Sequence, residues 1–236
     1  MPLIFSEPFM HKKIASFIQI ISLCLLSLFA QADELKLTSG IMMPEATTIQ
    51  PFTLEAQQAD AAGKIFTQNN LQNHWTLIFF GFTNCPMLCP TTMATLANAY
   101  TKLQTQGFKP LPQVIFVSVD SQRDTLEKTH IFATTFHKNF IGARTDDQRT
   151  LLRMTHEMHT MFEKVPLPAG TTQDKDATAN YTIDHTGDIM VINPQGQFVA
   201  MLTMPHTAEN IVADYQTIVN HATAPSGFFA KMKALL

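Results

Sequence analysis

The run WTLIFFGF, Trp75 to Phe82, contains no charged side chain and does not alternate between apolar and polar residues. A continuous apolar run of this length reads as a strand covered on both faces, as in a parallel sheet. From Pro90 the pattern changes at once. Met93, Leu96, Ala97, Tyr100 and Leu103 recur at steps of three and four, one face of a helix, and Pro90 suits a first helical turn. A buried strand feeding directly into a helix constrains the chain to an α/β architecture. Between the two lies GFTNCPMLCP, which places Cys85 and Cys89 in the strand-to-helix loop, Cys89 at or near the helix N-terminus. Free N–H groups and the helix dipole stabilise a thiolate there, and a thiolate is both a nucleophile and a soft metal ligand.

The rest of the chain keeps alternating. QVIFVSV (Gln113 to Val119) reads as a second buried strand. Asp124 to Phe136 reads as a helix with Leu126, Ile131 and Phe136 inward, and Asp146 to Lys164 as another, capped by Asp146. DIMVINPQGQFVAML is a hairpin turning at Pro194 to Gly196. His206 to Ala222 is a last helix, with Ile211, Val212, Tyr215, Ile218 and Val219 on one face. PFTLEA and GKIFTQ form a small additional N-terminal hairpin. Pro166 to Asn180, polar and rich in turn formers, reads as a mobile loop. The order strand–helix–strand–helix–helix–strand–strand–helix predicts a three-layer α/β sandwich, and with a cysteine pair after the first core strand it resembles the thioredoxin fold.

The 236 residues suffice for one domain of ordinary to large size, and a net charge of −3 leaves no basic footprint for nucleic acid. At the N-terminus, His11-Lys12-Lys13, the uncharged run Ile14 to Ala30 and the small-x-small site Ala30 to Ala32 make an export signal. The run is at the short end for a bilayer span. Cleavage after Ala32 is the preferred reading, an uncleaved membrane anchor the alternative. Cys24 stands after Leu23, where lipid attachment would need a small residue. The chain is therefore read as leader 1–32, linker 33–50, thioredoxin-like domain 51–223 and tail 224–236, exported to the periplasm or held at the outer face of the inner membrane.

Outside the leader only Cys85 and Cys89 remain, an even count that in an oxidising compartment can form a disulfide. As a staple the bond would be weak, since loop entropy gives only about 2 kcal/mol for so short a loop. Chemistry is the better explanation. Thioredoxins have two residues between their cysteines; the third residue here lets both sulfurs turn toward one point, a geometry suited to chelation as well as to disulfide formation. Two soft thiolates favour Cu(I) and also bind Cu(II) or Zn(II). Of the nine histidines, His11 lies in the leader, while His74, His130, His137, His206 and His221 fall at element edges and read as surface or satisfied residues. His185, in YTIDHTGDIMVINPQG, precedes the hairpin, in a segment that approaches the cysteine loop in a thioredoxin-like topology.

FFGFTNCPMLCPTTMATL, VIFVSVDSQRDTLE and YTIDHTGDIMVINPQGQF resemble the signature blocks of the SCO/SenC family of copper-binding, thioredoxin-like proteins, over about Pro51 to Ala222. The resemblance implies copper as the bound metal, with Cys85, Cys89 and His185 as its ligands. It implies delivery of copper to the binuclear site of cytochrome c oxidase subunit II or another copper-receiving protein, alongside other periplasmic copper chaperones, or reduction of the cysteines of that site. Two departures stand out: Met87 replaces an aspartate common in the family, and Asn84 a histidine.

Several readings stay open on the sequence alone. Met87 reads as packing against the loop, with direct ligation as the alternative. Asp120 is either a group supporting the site or a turn residue. MTHEMHTM carries Met154, His156, Met158, His159 and Met161; the three methionines have helical spacing and read as a core face, against a second, weak copper entry site. The main rival to copper delivery is a thiol-disulfide reductase using Cys85 and Cys89 as its redox pair, in which His185 is idle. A peroxidase is weaker, because Thr83 stands two rather than three residues before Cys85.

Overall fold

The computed structural model describes residues 35–57, 65–168 and 181–223. The residues read as an export segment, most of the polar loop expected at Pro166 to Asn180 and the residues expected as a C-terminal tail lie outside the described residues. Among the described residues ten strands and four α-helices follow one another in the order β1 (Gly40–Thr48), β2 (Thr53–Gln57), β3 (Ile65–Thr67), β4 (Thr76–Gly81), α1 (Leu88–Thr105), β5 (Gln113–Ser118), α2 (Leu126–Phe136), β6 (Ile141–Arg144), α3 (Gln148–Glu157), β7 (Phe162–Pro166), β8 (Tyr181–His185), β9 (Ile189–Ile192), β10 (Gln197–Leu202) and α4 (Ala208–Thr223).

Eight strands form one sheet in the order β1-β10-β9-β4-β5-β6-β2-β3, and β7 and β8 form a separate two-stranded ribbon. The middle is parallel: β4 pairs with β5 and β5 with β6, while β9 and β10 add antiparallel on the other side of β4. Every residue of β4, β6 and β9 is buried. Successive strand side chains point to opposite faces, so these strands are covered on both, as the apolar run at Trp75 predicted. The expected N-terminal hairpin is β2 with β3, and it extends the sheet edge at β6. Residues 40–48, read from sequence as part of a linker, form β1 and pair with β10.

Helix α1 buries Met93, Leu96, Ala99, Tyr100 and Leu103 on its inner face, and α4 buries the five apolar residues expected of it. Two helices differ from expectation. In α2 the inward residues are Thr129 and Ala133, with Phe132 and Phe136 packed beside them, while Ile131 is 55% exposed. The cause is a close approach: a Cβ on Gly142 of β6 would collide with the Thr129 carbonyl, so small residues must face the strand. The helix expected over Asp146 to Lys164 is capped by Asp147, whose side chain accepts from the Arg149 N–H, and it stops at Glu157. His159, at φ 53°, turns the chain out of the helix, and Phe162–Pro166 becomes β7. Strand β6 has no counterpart in the sequence reading, because it is only four residues long and contains glycine and arginine.

Gly142→Ala is expected to destabilise the fold by roughly 1–3 kcal/mol, because the added methyl meets backbone that cannot yield as a side-chain tip could. A lower denaturant midpoint at unchanged m-value checks it. An unchanged midpoint would mean that α2 does not ride on β6.

Candidate metal centre

Strand β4 ends at Gly81, and the chain then leaves the sheet through a short loop into α1. Cys85 N–H donates to the Phe82 carbonyl (3.2 Å) and Val119 N–H to the Gly81 carbonyl (2.8 Å), which tie the loop to the ends of β4 and β5. Helix α1 starts earlier than Pro90, at Leu88 with Met87 as its N-cap residue, so Cys89 lies in the first turn and is fully buried. Cys85, outside the helix, is half-buried. Gly81 makes room for the deeper sulfur: a Cβ there would lie 2.8 Å from Cys89 Sγ and 3.0 Å from the Phe116 ring.

His185 ends β8 and reaches the same point. Its Nε2 is 3.4 Å from Cys89 Sγ, and its Nδ1 is 2.9 Å from the Thr186 carbonyl oxygen. A carbonyl only accepts, so Nδ1 carries the hydrogen and Nε2 of the neutral ring presents a lone pair. Phe79 and Phe82 meet the imidazole edge-on, with ring centroids 6.0 and 5.8 Å away. The two Sγ atoms and a ring nitrogen of His185 all lie within 4.8 Å of one another, the one such grouping of potential metal ligands among the described residues. All three residues singled out in the sequence are therefore together.

The sulfurs are not equivalent. The Cys89 thiol donates to Cys85; burial opposes ionisation, but hydrogen bonds from the Cys89 and Met87 backbone N–H groups add to the effect, and Cys85 is drawn down to about 4. The Cys89 N–H, 3.3 Å from Cys85 Sγ, is one of the free donors of the first turn of α1. Cys89 is pushed strongly upward, first by holding its proton against Cys85 and then by burial. The pair is a thiolate outside and a thiol inside.

Two carboxylates hold the surroundings. Asp120 is fully buried; it accepts from the Tyr181 hydroxyl (2.6 Å) and pairs with Arg123, and its backbone carbonyl accepts the Arg123 and Asp124 N–H groups. It is thus both a turn residue and a support. Arg123 reaches on to the Tyr181 carbonyl (3.0 Å) and lies over the Tyr181 ring at 4.0 Å, so it clasps the strand that ends in His185. Burial and then Asp120 raise the Tyr181 phenol above its ordinary value, which keeps it a donor. Asp124, read from sequence only as a helix start, instead accepts from Thr83 N–H (2.9 Å), the Thr83 hydroxyl and Ser118 Oγ (2.6 Å), which anchors the cysteine loop to β5. The polar tail of VSVDSQRD was the available signal, since a buried carboxylate needs several donors.

The remaining candidates separate. Met154 and Met158 are fully buried, the core face that their spacing predicted, whereas Met161 is exposed and His159 rests against the Phe198 ring. Met87 does not pack against the loop; it is 72% exposed. His130 faces the Gln57 carbonyl, His137 packs against Tyr100 and Phe140, and His206 faces the Gly187 carbonyl.

Fold and site together define a thioredoxin-like domain that brings two cysteines and a histidine into one group that could hold a metal ion. A family model described as SCO1/SenC matches residues 42–220, and the chain belongs to that family. It is 29% identical over 150 residues to the protein SCO1 homolog 1, mitochondrial, of Arabidopsis thaliana, which covers 63% of this chain and 41% of that protein. The chain thus spans less than half of that relative's length. Among solved structures it resembles Arabidopsis thaliana ScoI with copper bound (TM-score 0.60, 26% identity, 72% of this chain and 97% of that one). It also resembles Bradyrhizobium japonicum ScoI with copper bound (TM-score 0.57, 29% identity, 72% and 98%). Among the described residues no helix is long and apolar enough to cross a membrane.

The charge asymmetry has a direct readout. With its pKa near 4, Cys85 is ionised throughout pH 6–8, so its alkylation rate should be flat there. An ordinary thiol with a pKa of about 8.5 would speed up about tenfold per unit. Met87→Asp adds an anion beside the thiolate and should raise the apparent pKa. A wild-type rate that climbs steeply from pH 6 to 8 would place the thiolate elsewhere.

Proposed function

We propose that this chain takes up copper through Cys85, Cys89 and His185 and passes it to another protein. The observation that carries this reading is the convergence of two sulfurs and a lone-pair-bearing imidazole nitrogen within 4.8 Å. Two thiolates and one imidazole are a donor set for copper: the thiolates satisfy Cu(I), and the nitrogen supplies the harder donor that Cu(II) needs. The copper-bound relatives of similar fold support the choice of metal. Copper is cargo here rather than a resident cofactor. Cys85 offers the first bond because it is already a thiolate; Cys89 must lose a proton as it binds; Nε2 needs no proton change. Release then runs as ligand exchange, with an acceptor displacing one cysteine at a time.

Proteins of the family serve cytochrome c oxidase assembly. The receiving site in this proposal is the binuclear copper site of subunit II of that oxidase. The export segment puts the work outside the cytoplasm, in the periplasm or at the outer face of the inner membrane, and the working domain takes in the expected residues 51–223 together with strand β1. A second reading has one observation in its favour: a thiolate at Cys85 beside a protonated Cys89 is also the arrangement of a thiol-disulfide reductase, in which Cys85 attacks a partner disulfide and Cys89 resolves the mixed disulfide. His185 has no part in that chemistry.

His185 therefore separates the two. His185→Ala is expected to lose stable Cu(II) binding and its thiolate-to-copper absorption, to keep much of its Cu(I) affinity, and still to form and reduce the Cys85–Cys89 disulfide. Cys85→Ser and Cys89→Ser should each abolish tight Cu(I) binding in competition with a Cu(I) chelator. In cells lacking the native gene, the His185→Ala protein should fail to restore oxidase activity at limiting copper. Full rescue would refute copper delivery and favour the reductase.

A further inference from the structure

Met87 and Met161 are the two most exposed large apolar side chains among the described residues, at 72% and 75%. An exposed methionine gains little of the stabilisation that burying it would bring, so packing does not explain either one. Both stand beside the metal centre. Met87 lies between the two cysteines, and its backbone N–H is one of the donors to Cys85. Met161 immediately precedes Phe162, which pairs with His185 across the β7–β8 ribbon, and its carbonyl accepts the Thr186 N–H at 3.1 Å.

Two open cavities meet at His185. One, of about 600 Å³, is lined by Cys85, Met87, Leu88, Ile183 and His185 among others. The second, of about 330 Å³, is lined by Met161, Phe162, Glu163, Asp184, His185 and Thr186. Each holds one exposed thioether, and His185 is common to both. A thioether is neutral at every relevant pH, soft, and a weaker ligand than a thiolate, so it can hold Cu(I) briefly without trapping it.

We propose that Met87 and Met161 are labile thioether ligands on two sides of His185, giving Cu(I) a temporary foothold while the cysteines are exchanged one at a time. The inference rests on the copper reading above and deepens it. In the exchange a Cu–S(thioether) bond forms as a Cu–S(thiolate) bond breaks. Copper stays Cu(I) and no electron moves; a freed Cys89 takes a proton back from water, and a freed Cys85 remains a thiolate. Met87 places a soft, neutral donor at the position between the cysteines.

The full chain, reduced and labelled with ¹³C at the methionine methyls, is titrated with Cu(I), and transfer of that Cu(I) to a chelator is timed in wild type and in Met87→Leu, Met161→Leu and the double variant. Leucine keeps an apolar side chain of similar size at an exposed position and removes only the sulfur donor. The Met87 and Met161 methyl signals should shift on Cu(I) addition, while those of buried Met93, Met154, Met158 and Met190 stay. Transfer from the double variant should slow about tenfold, in the range by which groups outside the principal ligands tune a metal site. Tight Cu(I) binding with silent methyls at both positions, or with transfer unchanged in the double variant, would overturn the thioether role and leave copper binding intact. A wild-type protein that takes up no Cu(I) would overturn the copper reading and this inference with it.

Discussion

A 3.4 Å contact between Cys89 Sγ and His185 Nε2 joins two points of the chain 96 residues apart. Everything that distinguishes this site from a cysteine pair on a loop depends on it. It needs β4 to end in a residue with no Cβ, because the sulfur lies where a side chain on Gly81 would be. It needs α1 to begin at Leu88, so that Cys89 turns inward while Cys85 stays at the surface. It also needs β8 to stop at His185, with Nδ1 occupied by the Thr186 carbonyl so that the lone pair of Nε2 is the one that faces the sulfur.

Buried charge supplies the rigidity these conditions require. Asp124 fastens Thr83 of the cysteine loop to Ser118 at the end of β5, while Asp120 and Arg123 clasp Tyr181 at the far end of the strand that carries His185. A carboxylate away from water is costly unless each oxygen is matched, and here donors converge on both groups. The same short stretch, Asp120 to Asp124, therefore positions both halves of the centre. Only a buried network could do so, since exposed ion pairs at this range contribute little.

Much of this was legible in the sequence where the signal is local. The apolar run at Trp75, the helical steps from Met93 to Leu103 and the face of α4 needed only periodicity, and burial followed it except that Ala99 rather than Ala97 is the buried alanine of α1. Expectation and structure part where tertiary contact overrides local pattern. Ile131 has the apolar character of an inward residue, yet the backbone of α2 sits so close to Gly142 that only Thr129 and Ala133 fit between them. The helical pattern expected to run through Lys164 breaks at His159, and the chain beyond it enters a strand whose pairing partner, β8, begins at Tyr181. Residues 40–48 have no strong alternation, and they became a strand because β10 offered an edge to pair with.

Cys85, Cys89 and the strand-to-helix loop that holds them were settled by sequence alone, because spacing along a few residues fixes which groups share a loop and a helix end. The convergence of His185 on them was a matter of tertiary structure. A histidine so far along the chain acquires a partner only when the β7–β8 ribbon, outside the main sheet, sets His185 against Phe79 of β4 and Cys89 of α1, and spacing carries no information about that closure. The division between thiolate and thiol was decided there too. Two cysteines in one motif are chemically alike until the fold buries one sulfur, gives the other its hydrogen-bond donors, and sets an imidazole beside the pair.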